Sequence, residues 1–196
     1  MIDSTVVTKQ HIARVDHWIR AFLEILAERN KMGDFFPLVE KELLKRAKNH
    51  DKSKLMDPEK RIFDIYSPKL KSCTYGSAEY KGYLKEMELG LKHHYKANRH
   101  HPEHFKKGIE EMNVFDIVEM FCDWKAAVER HEDGDIYKSI DINAERFEMP
   151  GDLTKRFKYT AQEFDGTESG FDEMKITLWD YLENAKALIK WSLDGI

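Results

Sequence analysis

Ile12, Val15, Ile19, Phe22 and Leu26 recur at steps of three and four, the apolar stripe of an amphipathic helix, which predicts a first helix over residues 8–28. A Lys-Met-Gly-Asp break follows, and Pro37 then suits the first turn of a second helix carrying Leu38, Val39, Leu43, Leu44 and Ala47 toward His50. Asp57 and Pro58 read as the N-cap and first residue of a short third helix with Ile62 and Phe63, and residues 67–76 read as a loop. Ser77 suits the cap of a long fourth helix whose Tyr80, Tyr83, Leu84, Met87 and Leu91 share a face, running into a histidine-rich segment near residue 94. Pro102 interrupts that segment. Asn113 is placed to cap a helix from Val114 to Arg130, with Ile117, Phe121, Trp124 and Val128 on its buried side.

Past the turn Glu132-Asp133-Gly134-Asp135, helical stretches are expected over residues 140–147 and 153–164, the second capped by Asp152. A polar, Gly-containing loop from Asp165 to Gly170 then leads to a final helix over residues 172–192. No alternating strand pattern competes, and there is neither an internal repeat nor a low-complexity tract. The pattern therefore predicts an all-α fold, a single-domain helical bundle over residues 1–196, with C-terminal helices 136–196 packing on a core of about 5–131.

Composition restricts the partners. With 41% hydrophobic residues, 11 Phe, 8 Tyr and 4 Trp, the chain can fill one sizeable core and is too rich in aromatics for disorder. Its 32 Lys plus Arg against 36 Asp plus Glu give a formal charge of -4, so no general basic field is available to hold duplex nucleic acid. No apolar run approaches the roughly 20 residues of a membrane span. The start Met-Ile-Asp-Ser-Thr lacks the basic and apolar parts of an export signal, and only Cys73 and Cys122 occur, so a cytoplasmic setting is expected. A homo-oligomer is compatible with all of this.

Histidines carry the candidate chemistry. Five of the nine (His93, His94, His100, His101 and His104) fall between residues 93 and 104. Imidazole mixed with carboxylate suits a divalent transition metal (Mn, Fe, Co, Ni or Zn), one or two ions, while the lack of Cys pairs argues against a structural zinc knot. His94 lies three residues beyond Leu91 and seven beyond Met87, on the apolar stripe, whereas His93 follows the polar side. Because Pro102 disfavours α geometry at the residue before it, either His100 or His101 can turn inward, and His104 can follow.

His50 and Asp51 are adjacent at the end of the second helix, where His50 continues the stripe of Leu43 and Ala47; a simple Asp51–Lys54 pair is the plainer alternative. On the first helix His11 shares a face with Val15, Trp18 and Phe22, whereas His17 is surrounded by polar positions and is expected to be solvated. Asp116, Glu119 and Asp123 form a carboxylate ladder along one helix face. Asp116 is explained by the helix N-terminus. Asp123, mid-helix among Met120, Trp124, Ala126 and Ala127, is not.

The order His11, His50-Asp51, the histidines of residues 93–104 and then Asp123 resembles the HD-domain superfamily of metal-dependent phosphohydrolases. The resemblance implies that His11, His50, Asp51 and Asp123 bind one metal, with His94 and His101 available to a second. Lys54 matches the lysine that closes the His-Asp-x-Gly-Lys stretch, with Ser53 in place of the glycine. The segments His93–His104 and Asp116–Ala126 are also similar to those of an HD-like family of phage and bacterial proteins with no established reaction; a phage-encoded member would act in the host cytoplasm.

The implied activity is metal-dependent hydrolysis of a small phosphate ester, a nucleotide being the foremost small-molecule substrate. Asp51, Lys54 and Glu119 are then the catalytic candidates, with Lys54, Arg14 and Lys125 holding substrate. A dinuclear-iron oxygenase and a non-catalytic nucleotide-binding protein are the alternatives.

Overall fold

The computed structural model describes residues 3–30, 32–74, 77–130, 133–166 and 176–186, and these form nine α-helices and no strand. The fold is all-α, as the hydrophobic periodicity predicts. Helix α1 (Thr5–Arg29) buries His11, Val15, Ile19, Phe22 and Leu26. It ends at Asn30, which adopts a left-handed conformation (φ 48°) that asparagine tolerates. Helix α2 (Phe36–Asn49), with Pro37 in its first turn, buries Val39, Leu43 and Ala47 but leaves Leu38 exposed.

Helix α3 (Glu59–Ser72) starts one residue later than expected, with Pro58 at the cap, and runs through Pro68 where a loop is expected. The long fourth helix is divided at Met87 into α4 (Ala78–Glu86) and α5 (Glu88–Ala97); Ser77 caps α4 through its hydroxyl, which accepts from Tyr80 N at 3.1 Å. Between α5 and α6 the chain makes two short 3-10 turns, Pro102–His104 and Gly108–Glu111.

Helix α6 (Val114–Val128) is the axis of the molecule. Every residue from Val114 to Ala126 except Asp123 is buried, and α1, α2, α7 and α9 all pack on it. Its start is a complete capping box: Asn113 accepts from Asp116 N, and the Asp116 carboxylate accepts from Asn113 N. Helices α7 (Ile136–Arg146, capped by Asp135), α8 (Gly151–Phe164) and α9 (Leu178–Asn184) cover the far side. Asp152 lies in the first turn of α8 rather than at its cap, which is Pro150. Most of the expected Asp165–Gly170 loop and both ends of the expected final helix lie outside the described residues. Aromatic contacts join the two sides: Trp179 stacks on Phe22 at 4.9 Å and donates its ring N–H to Phe22 O at 2.9 Å. Among the described residues no helix is long and apolar enough to cross a membrane.

Candidate metal centre

The centre forms where the ends of α2 and α5 meet the N-terminal part of α1 and the middle of α6. Adjacent residues on an α-helix point about 100° apart, so His50 and Asp51 cannot both face one point while helical. The backbone resolves this. His50 leaves the helix (φ -48°, ψ 129°), and Asp51 adopts a left-handed conformation (φ 52°) before the 3-10 turn Lys52–Leu55. Aspartate tolerates that region better than most residues, and its use at a buried side chain is the kind of local strain found at functional sites. Both side chains thereby enter the same space, each about 1% exposed.

Asp51 stands between two groups of ligand atoms. Its Oδ2 faces His11 Nε2 at 3.8 Å and His50 Nε2 at 3.7 Å, and Asp123 Oδ1 closes that group at 2.8 Å from His11 Nε2 and 3.6 Å from His50 Nε2. Its Oδ1 faces His94 Nε2 at 3.5 Å and His100 Nε2 at 3.6 Å, and His101 Nε2 lies 2.7 Å from His94 Nε2. The groups are thus His11, His50, Asp51 and Asp123, and Asp51, His94, His100 and His101, each with donor atoms mutually within 4.8 Å.

These residues fit a metal. Ligands at about 2.1 Å around a tetrahedral ion are about 3.4 Å apart, close to the spacings around Asp51. His50 Nε2, Asp51 Oδ1 and His100 Nε2 are buried and have no hydrogen-bond partner among the described residues. Each such atom left unpaired costs about 1–3 kcal/mol, and a cation in each of the two groups would remove the deficit. The donor set, imidazole and carboxylate without thiolate, suits Mn, Fe, Co, Ni or Zn.

A second ring of contacts orients the first. Glu119 Oε1 meets His50 Nδ1 at 3.0 Å and His100 Nδ1 at 3.3 Å, leaving Nε2 of each ring to face inward. Glu59, fully buried, does the same for His94, with Oε2 2.9 Å from Nδ1, while its Oε1 meets His93 Nδ1 at 2.6 Å. Ser53 donates its hydroxyl to Glu59 Oε2 at 3.0 Å and accepts from Asn98 at 2.8 Å.

The electrostatics follow from burial and this crowding. Burial pushes the imidazoles of His11, His94 and His101 below their ordinary value, which favours the neutral, ligating form. His50 behaves oppositely: burial alone would lower it, but Asp51, Asp123 and Glu119 outweigh burial and push it up to about 10. Glu119 is driven well below the usual carboxylate range, its hydrogen bonds with His100 and His50 outweighing the upward effect of burial.

Comparison with protein families gives one decisive match. The chain belongs to DUF5662, a family of unknown function. The DUF5662 match covers residues 3–165 and so contains every ligand described above. Neither the curated proteins nor the solved structures give a match.

Of the residues expected from sequence, His11, His50, Asp51, His94, His101 and Asp123 all converge within the DUF5662 region. The open choice between His100 and His101 resolves as both. Glu119 lies behind the ligands, with one oxygen on two histidines and the other on Arg46 at 3.1 Å. Lys54 does pair with Asp51 Oδ2, at 2.6 Å, on the rim of the cluster. Arg14 is held by Glu129 and Lys125 by Asp165, and Lys125 lines a surface cleft with Tyr137 and Asp165 that contains none of the ligands. His104 turns away and donates its Nδ1 hydrogen to Tyr95 O at 3.0 Å. Glu59 was hidden in the sequence because an acid just after a proline looks like ordinary first-turn helix chemistry.

Proposed function

We propose that this protein is a metal-dependent phosphohydrolase of HD-domain type that uses two divalent transition-metal ions to cleave a small phosphate ester, a nucleotide being the foremost candidate. The observation that carries this reading is Asp51, whose two oxygens face two separate sets of histidine nitrogens. The order of the ligands along the chain, His11, His50-Asp51, then Asp123, supports it through the HD resemblance.

Metal bound at such a centre supplies a water of lowered pKa and a Lewis acid for a phosphoryl oxygen. The chain's own residues do the remainder. Asp51 would offer one oxygen to each position, and the buried histidines exclude bulk water. Most of the ligand side chains are at most 3% exposed, whereas Asp123 is 14% and Lys54 21% exposed, so substrate reaches the centre along the edge they form. Lys54 there offers an ammonium group to an incoming phosphate oxygen, in exchange for its contact with Asp51.

Protein purified without chelators should contain metal and release phosphate from at least one member of a panel of nucleoside mono- and triphosphates. Asp51→Asn should abolish that release. Metal-loaded protein that hydrolyses none of the panel would overturn the hydrolase reading. The three imidazoles around Asp51 Oδ1 also suit a dinuclear-iron oxygenase. Substrate-dependent oxygen uptake by iron-loaded protein would favour that activity, and nucleotide binding without turnover would favour a binding protein.

A further inference from the structure

Glu119 touches both metal positions from behind. Its Oε1 contacts His50 Nδ1 at 3.0 Å and His100 Nδ1 at 3.3 Å, and these rings, 4.3 Å apart, belong to different ligand groups. Its Oε2 accepts from Arg46 Nη1 at 3.1 Å. Arg46 is itself fixed, donating to Asp116 Oδ1 at 2.8 Å and to Glu42 Oε1 at 3.0 Å. In a neutral imidazole, a hydrogen on Nδ1 leaves the lone pair on Nε2. One carboxylate oxygen accepting from two rings therefore fixes both as Nε2 ligands.

We propose that Glu119, oriented by Arg46, is a positioning residue that sets the ligating form of His50 and His100 together, so that the two metal positions depend on a single side chain. This rests on the two-metal reading above. Glu59 is the contrasting case, because His94 is the one candidate ligand it contacts, and that ligand belongs to the position at Asp51 Oδ1. An amide at position 119 exposes the logic. Arg46 is a donor only, so it attracts the amide oxygen and leaves the NH2 group facing the two Nδ1 atoms. Those rings then carry their hydrogens on Nε2, where a metal has to bind.

The test is titration of metal-free protein with Co2+ and with Zn2+, counting ions and measuring affinity at each position, for wild type, Glu119→Gln, Glu59→Gln and the double variant Glu119→Gln with Arg46→Met. Wild type should take up two ions. Glu119→Gln should weaken both positions by about 10–100-fold, and Glu59→Gln only one. The double variant, whose amide is free to turn its oxygen toward the rings, should bind metal more tightly than Glu119→Gln alone, a recovery that a merely structural role would not give. Ring-nitrogen NMR of zinc-loaded wild type should place the hydrogen on Nδ1 of both His50 and His100. That measurement decides the matter if a variant fails to fold, because a hydrogen on Nε2 of either ring overturns the proposal. Two ions in wild type, with either held as tightly in Glu119→Gln, overturns the coupling but leaves the metal centre standing. A wild type that binds one ion or none overturns both.

Discussion

The Nε2 atoms of His94 and His101 lie 2.7 Å apart, with the rings meeting edge to face at 4.6 Å between centroids. Without a metal, two ring nitrogens stay this close only if one donates its hydrogen to the other's lone pair. Around a metal both must present lone pairs, and the atoms then separate to about 3.0–3.4 Å, the spacing of neighbouring ligands at bond lengths of about 2.1 Å. On the two-metal proposal, a second ion would have to break this contact to bind. His101→Ala should lower the metal count from two per chain to one, leaving the His11, His50, Asp51 and Asp123 group occupied. Metal analysis after dialysis checks this, and an unchanged count would remove His101 from the ligand set.

Asp51→Asn should empty both positions, since each group of ligands includes one Asp51 oxygen. Asparagine is the informative substitution because it keeps the shape and tolerates the left-handed backbone at φ 52°, which alanine does less well. Asp123→Ala should chiefly affect the position shared with His11. A metal count of two in Asp51→Asn, with helicity unchanged by circular dichroism, would contradict the bridging geometry.

How far the sequence reaches depends on what holds each element. The stripes of α1, α2 and α6 are legible because each presents an apolar face at regular spacing, and His11, His50 and Asp123 are found by extending or interrupting those stripes. His100 is not found this way, since it lies beyond the end of α5 and just before Pro102, where helical phase no longer predicts direction. The division at Met87 is likewise silent, as no proline or glycine marks it. Helix α3 runs through Pro68 although proline inside a helix costs about 3 kcal/mol. Contacts at its last turn oppose that cost: the Lys69 ammonium lies 4.8 Å from the ring of Tyr66 within α3 and 5.2 Å from Tyr83 of α4.

Metal-free and metal-loaded protein should respond oppositely to alkali. Asp51, Asp123 and Glu119 outweigh burial to raise His50 in the metal-free fold to about 10 from an ordinary 6.5. A group whose pKa is raised by folding stabilises the fold fully below its unfolded value and loses that contribution as pH rises through the folded one. The melting temperature of metal-free protein should therefore fall between about pH 6.5 and 10. Metal binding displaces the His50 proton, so affinity should rise by up to about tenfold per pH unit over that window, and the gap between the two melting temperatures should widen. Melting curves at pH 7, 8 and 9 with and without metal test this; a gap that narrows would mean His50 is not a ligand.

His11 and His17 occupy one helix but opposite environments. His11 is 4% exposed and its Nε2 meets Asp123 Oδ1 at 2.8 Å across a separation of 112 residues, so it ties α1 to α6 at the metal position. His17 lies on the exposed side of α1, its ring edge-on to Trp18 at 5.1 Å. Replacing an exposed side chain that makes so little contact changes stability by no more than about 0.5 kcal/mol, so His17→Ala should melt and bind metal as wild type does. His11→Ala removes a buried ligand and leaves Asp123 without its closest partner, so it should lose one metal per chain and lower the melting temperature of the metal-loaded protein. Loss of metal in His17→Ala with retention in His11→Ala would mean that the helical phase placing His11 in the centre is wrong.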